Sequence, residues 1–141
     1  MQSSHKWTVT SCAVIVMLVA GVMVAQGGDV AQGRAIYLRN CATCHGLTAE
    51  GNGPMARALK TPPTNLRLLS DLYGNPLPED RVARAIDGRE EVKAHGPRDM
   101  PVWGDRFSAE THGDEQQVKE RIAQLVAYLQ SLQTGARTAS R

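Results

Sequence analysis

Two thiols and an imidazole stand together at Cys41-Ala42-Thr43-Cys44-His45, and no other stretch constrains the chain so tightly. Two cysteines, two spacers and an immediate histidine make the spacing of c-type haem attachment. Each thiol adds to one vinyl group of the porphyrin, giving two thioethers, and the histidine then lies beneath the iron on the proximal side. Three other readings use the same residues. A thioredoxin-like redox pair belongs in a βαβ context, and no segment here alternates like a strand. A zinc site asks for four ligands, often a second C-x-x-C or a spaced histidine pair. The one other cysteine is Cys12, and the remaining histidines do not form such a pair. A disulfide between Cys41 and Cys44 leaves His45 without a role.

Residues 1–28 differ from the rest. His5 and Lys6 give a weakly basic start, Cys12 to Ala25 is an unbroken apolar or small run, and Gln26-Gly27-Gly28-Asp29 comes next. That order describes a secretory signal peptide, or an N-terminal membrane anchor if it is retained. The run is short against the roughly 20 residues of a spanning helix. Ala25-Gln26-Gly27 offers a small-x-small cleavage site, whereas a cut after Ala25 places Met23 at the third position before it. Cys12 lies too early for a lipoprotein cysteine and reads as a small apolar filler. Export agrees with the motif, because bacteria attach class c haem outside the cytoplasm. The expected location is the periplasm, free or on the membrane face.

Beyond the leader, Cys41 and Cys44 are the only cysteines, so no disulfide framework is available. About 110 residues suit one small domain, expected over 29–135 with a flexible tail at 136–141. Such a chain buries a limited share of its surface, and one Phe with two Trp adds little aromatic bulk. A bound haem supplies the missing apolar centre, so the haem-free chain is expected to be unfolded or molten. Sixteen Lys and Arg face fourteen Asp and Glu, for a net charge of +2 that becomes +1 once Lys6 is removed with the leader. Such a balance does not suit nucleic acid.

Helical signals run through the domain. Asp29 to Asn40 reads as a helix capped by Asp29, with Val30, Gly33, Ile36, Tyr37 and Asn40 on one face. Gly46 to Pro54 is a loop, and Pro54 to Leu59 starts a short helix. From Thr64 to Asn75 the pattern is mixed, with Leu66, Leu68, Leu69 and Leu72 suited to cover haem or core. Pro78-Glu79-Asp80 opens a helix whose apolar face is Val82, Ala85 and Ile86, ended by Gly88. Residues 88–107 read as a long polar loop, a feature that is usually functional in a small domain. Val118, Ile122, Leu125, Val126, Leu129 and Leu132 keep helical spacing. That last helix carries Asp114 and Glu115 at its start and is ended by Gly135. The expected fold is all-α, with three to five helices around a covalently bound haem.

Together these residues resemble the class I c-type cytochromes, over roughly Asp29 to Leu132. The motif continued by Gly46 carries most of the resemblance. Met100-Pro101-Val102-Trp103-Gly104 looks like the family's M-P-x-[WF] segment. Gly33, Tyr37 and the helix ending in Tyr128-Leu129 match the family's crossing of first and last helices. The resemblance implies a cytochrome c-like fold, one haem c attached at Cys41 and Cys44, and electron transfer without substrate turnover. It makes His45 the proximal iron ligand, with its second ring nitrogen bonded to a backbone carbonyl near Pro62 or Pro63, and Met100 the distal ligand. A thioether suits low-spin iron and raises the reduction potential relative to two histidines. His95 is the rival for that position, with His112 and Met55 behind it; Met55 reads better as packing over haem or core, and His112 as a solvated residue before the last helix. Trp103 is expected at the haem, by packing or by an indole bond to a propionate, with core packing as its plain alternative. Arg98 is a propionate partner or a solvated charge.

The function expected is a monohaem one-electron carrier, not an enzyme, in the bacterial periplasm or respiratory chain. It takes an electron from a dehydrogenase or bc1-type donor and delivers it to an oxidase or reductase. The alternative is a cytochrome subunit of a larger membrane-bound or periplasmic oxidoreductase. A gas sensor needs an open sixth position, which carbon monoxide binding tests, and a peroxidase needs a distal pocket for which one short domain has little space.

Overall fold

The computed structural model describes residues 25–90 and 99–134. The expected leader as far as residue 24, the candidates His95 and Arg98, and the expected tail with Gly135 lie outside the described residues. Among the described residues there are six α-helices, two single 3-10 turns and no strand. We label the helices α1 (Ala25–Asn40), α2 (Ala42–His45), α3 (Leu69–Tyr73), α4 (Glu79–Asp87), α5 (Trp103–Glu110) and α6 (Glu115–Ser131). The 3-10 turns span Ala56–Ala58 and Leu66–Leu68. The all-α expectation holds.

The architecture rests on α1 crossing α6, the most extensive helix contact in the fold. Gly33 makes the crossing close. A Cβ built there would lie 2.6 Å from the Gln124 carbonyl carbon and 2.9 Å from the Tyr128 Cβ. One turn later Tyr37, fully buried, meets the Tyr128 ring with centroids 5.3 Å apart. The helical stripe of α6 is the main core element: Val118, Ile122, Leu125, Val126 and Leu129 are all buried. Asp114 caps the helix, its side chain accepting the N–H groups of Gln116 and Gln117.

α4 packs on α6 and buries Val82 and Ile86, and it ends at Gly88, which adopts a left-handed conformation and bonds back to the Arg84 carbonyl. Three boundaries differ from the sequence reading. α1 begins at Ala25, so Asp29 lies inside the helix and does not cap it. α6 stops at Ser131, four residues before Gly135. The long loop expected to reach residue 107 gives way at Trp103 to α5. Gly104 and the nearby Pro101 hide this helix, while Trp103 and Phe107, four residues apart and both buried, are its apolar stripe.

Candidate functional site

The Cys41–His45 segment is shaped before any ligand is considered. Its first peptide continues α1, with the Cys41 N–H bonded to the Tyr37 carbonyl at 2.8 Å. The Cys41 carbonyl accepts from Cys44 and His45, and that of Ala42 accepts from Gly46. The next three carbonyls are met by the loop after the motif as it folds back: Thr43 by Met55, Cys44 by Gly53 and His45 by Gly51. Every carbonyl from 41 to 45 is therefore satisfied, as a half-buried turn requires. The Tyr37 hydroxyl completes the support, donating to the Gly46 carbonyl at 2.6 Å. Cys41 and Cys44 do not pair with each other as a disulfide. Burial, then the neighbouring Cys44, pushes the Cys41 thiol up to about 12. It stays protonated at neutral pH, which disfavours the free thiolate a redox nucleophile needs.

The His45 ring is oriented by its Nδ1, 3.0 Å from the Thr64 carbonyl oxygen. A carbonyl only accepts, so Nδ1 carries the proton and Nε2 keeps a free lone pair. Burial lowers the pKa of the ring, against an opposing effect of the Thr64 bond, and so favours neutral imidazole. The acceptor is the residue after the Pro62-Pro63 pair that the resemblance pointed to.

Beside this turn lies a cavity of about 550 Å³. Its wall includes Cys41, Cys44 and His45 from the motif, Leu66 and Leu69 from the middle of the chain, and Met100 and Trp103 from the segment entering α5. Val82 and Ile86 of α4 and Leu125 and Leu129 of α6 add apolar surface. All five candidate cofactor-binding residues, Cys41, Cys44, His45, Met100 and Trp103, thus line one cavity. Other expectations fail. Met55 is 47 % exposed and is not among the lining residues, because the loop's backbone bonds to Thr43 turn it outward. Leu68 and Leu72 are exposed while their neighbours Leu66 and Leu69 line the cavity. His112, by contrast, is exposed at a positive φ just before α6, as its reading as a solvated residue there requires.

Among the lining residues that the sequence did not single out are Thr64 and Arg106. Thr64 acts through its main chain, which leaves no side-chain signal. Arg106 also lines the cavity, its guanidinium 5.3 Å from the centre of the Trp103 ring. Its position one helical turn after Trp103 was the available cue.

The cavity fits haem c by the chemistry of its donors: two thiols at thioether spacing, an imidazole with a free Nε2, a methionine sulfur, and apolar walls. No group of three or more His, Cys, Asp or Glu among the described residues is arranged to hold a bare metal ion. Fold and site together define a class I c-type cytochrome, a haem c electron-transfer protein. Over residues 28–129 the chain matches the family described as cytochrome c oxidase, cbb3-type, subunit III, and it belongs to that family. Neither the curated proteins nor the solved structures compared with the chain match it.

Proposed function

We propose that this chain is a monohaem one-electron carrier whose haem c is bonded to Cys41 and Cys44 and ligated by His45 and Met100. The observation that carries the reading is the meeting of these four residues, drawn from positions about 55 apart, at the wall of one cavity. Haem c supplies a reversible one-electron couple at its iron when bound. Cys41 and Cys44 hold the group in one orientation, and the Thr64 carbonyl keeps the His45 Nε2 lone pair directed and available. Met100 offers a soft thioether that favours the reduced state. Leu66, Leu69, Leu125 and Leu129 exclude water, and Arg106 with Trp103 provides a cation and an indole N–H for propionates. His45 and Met100 would together hold the iron and leave substrate no place on it, a reading that favours electron transfer without catalysis.

Purified holoprotein tests this directly. The expected ferric spectrum has the weak far-red band of thioether-ligated haem, and Met100→Ala removes it and lowers the reduction potential. A spectrum unchanged by that substitution refutes the ligand assignment.

A second reading makes the chain a subunit of a larger oxidoreductase, favoured by the family's description as an oxidase subunit. Both readings place the domain outside the cytoplasm, supported by the basic-then-apolar leader. Among the described residues no helix is long and apolar enough to cross a membrane. Native electrophoresis of gently solubilised membranes separates the two: haem staining at the size of a large complex supports the subunit, and haem in the periplasmic extract supports the free carrier.

A further inference from the structure

One guanidinium ties together three helix ends around the cavity. Arg89 donates from Nε and Nη2 to the two carboxylate oxygens of Asp87, at 2.7 and 2.8 Å. Its Nη1 donates to both oxygens of Glu115, at 2.9 and 3.0 Å. Asp87 is the last residue of α4 and Glu115 the first of α6. The third element is α5. Gly104, in its first turn, lies so close to the Asp87 carboxylate and the Arg89 Nε that a Cβ there would sit 2.8 Å from Asp87 Cγ. The Arg89 side chain is only 27 % exposed, and its bonds to Asp87 are partly shielded from water while those to Glu115 are exposed. A planar fork that meets two carboxylates at once has little freedom to move.

This junction sits at the base of the segment that carries Met100. Gly104 comes directly after Trp103, which lines the cavity, and Met100 lies one short stretch earlier on the same wall. We propose that Arg89 is a positioning residue for Met100: bridging Asp87 and Glu115 against Gly104, it holds the start of α5 where the methionine sulfur reaches the iron. The inference rests on the reading of Met100 as an iron ligand. Arg89 is not among the residues that line the haem cavity. Its effect passes through Gly104 and Trp103, and a loosened junction lets the Met100 side of the cavity move away from the iron.

The test compares Arg89→Gln, Glu115→Gln and Gly104→Ala holoproteins with the unsubstituted protein and with Met100→Ala. Three readouts are taken: the far-red band across a rising pH series, the reduction potential, and carbon monoxide binding to the reduced protein. Expected are loss of the far-red band at lower pH, a lower potential, and carbon monoxide binding faster by roughly tenfold, the scale of one lost charge-assisted contact. Arg89→Lys, which keeps the charge without the fork, is expected to fall between. Glu115→Gln changes one atom and keeps the fold if Arg89→Gln does not. The proposal is overturned if the variants melt earlier yet keep the band, potential and carbon monoxide kinetics of the parent. Failure of the Met100 reading looks different: the band then survives Met100→Ala itself.

Discussion

Replacing Gly33 by alanine tests the helix crossing on which the cavity depends, because the sign of the effect is diagnostic. In an uncrowded helix interior the change stabilises by about 1 kcal/mol, the difference in helix propensity. At Gly33 the new methyl meets the Gln124 carbonyl and the Tyr128 Cβ at distances no real Cβ tolerates. Both contacts belong to the opposing helix backbone or its first side-chain atom, so no rotamer change relieves them. The helices must separate, and the Tyr37–Tyr128 ring contact goes with them. Overpacking of this kind costs about 3 kcal/mol, which leaves a net loss of roughly 2 kcal/mol after the propensity gain. For a domain of this size that corresponds to a fall in Tm of about 10 °C. The assay is thermal unfolding of the holoprotein, read by far-ultraviolet circular dichroism. An alanine variant as stable as the parent, or more so, refutes the close crossing.

Other parts of the fold carry three more expectations. Gln133 is buried, accepting the Ser70 N–H at 2.9 Å while donating to the Leu66 and Leu129 carbonyls at 2.8 and 2.7 Å. Gln133→Leu strands those groups, and urea unfolding is expected to show a loss of about 2 to 4 kcal/mol. The Asp114 carboxyl is held below its ordinary 3.8, first by the Gln117 backbone N–H and then by the Gln117 side chain. A depressed folded value means the cap contributes fully above 3.8 and is lost as pH falls through the folded value. The Tm gap between the parent and Asp114→Ala should therefore be constant near neutrality and close in acid. Finally, Cys41→Ser/Cys44→Ser protein made without haem is expected to lack a cooperative melt, since a cavity of about 550 Å³ then stays unfilled at the centre of a small domain. A sharp transition there refutes the view that haem is the centre of the core.

Residues whose roles depend on near neighbours were legible in the chain. The α6 stripe from Val118 to Leu129 reads directly as period 3.6, and each of those residues is buried. α4 is equally plain, with acids at its start and Gly88 at its end. Elsewhere a local signal was masked or absent. α5 was hidden by Pro101 and Gly104, although Trp103 and Phe107 marked it. Gln133 looks like a solvated residue near the tail, and only the return of α6 toward Leu66 and Ser70 makes it a buried link. Arg89 reads as one more charge among many until the ends of α4 and α6 bring two carboxylates to it.

By itself, the sequence determined the chemistry of attachment. Two thiols and an imidazole within five residues are held in register by a single helical turn, and such short-range geometry is written in the spacing. Which distant groups share the wall with them was decided by the tertiary structure alone. The close approach of α1 to α6 at Gly33, and of α5 to Asp87 and Arg89 at Gly104, brings Met100 and Trp103 to the same cavity as Cys41, Cys44 and His45. The main-chain oxygen that orients His45 is likewise a product of chain path, because a carbonyl is common to every residue and only folding selects that of Thr64.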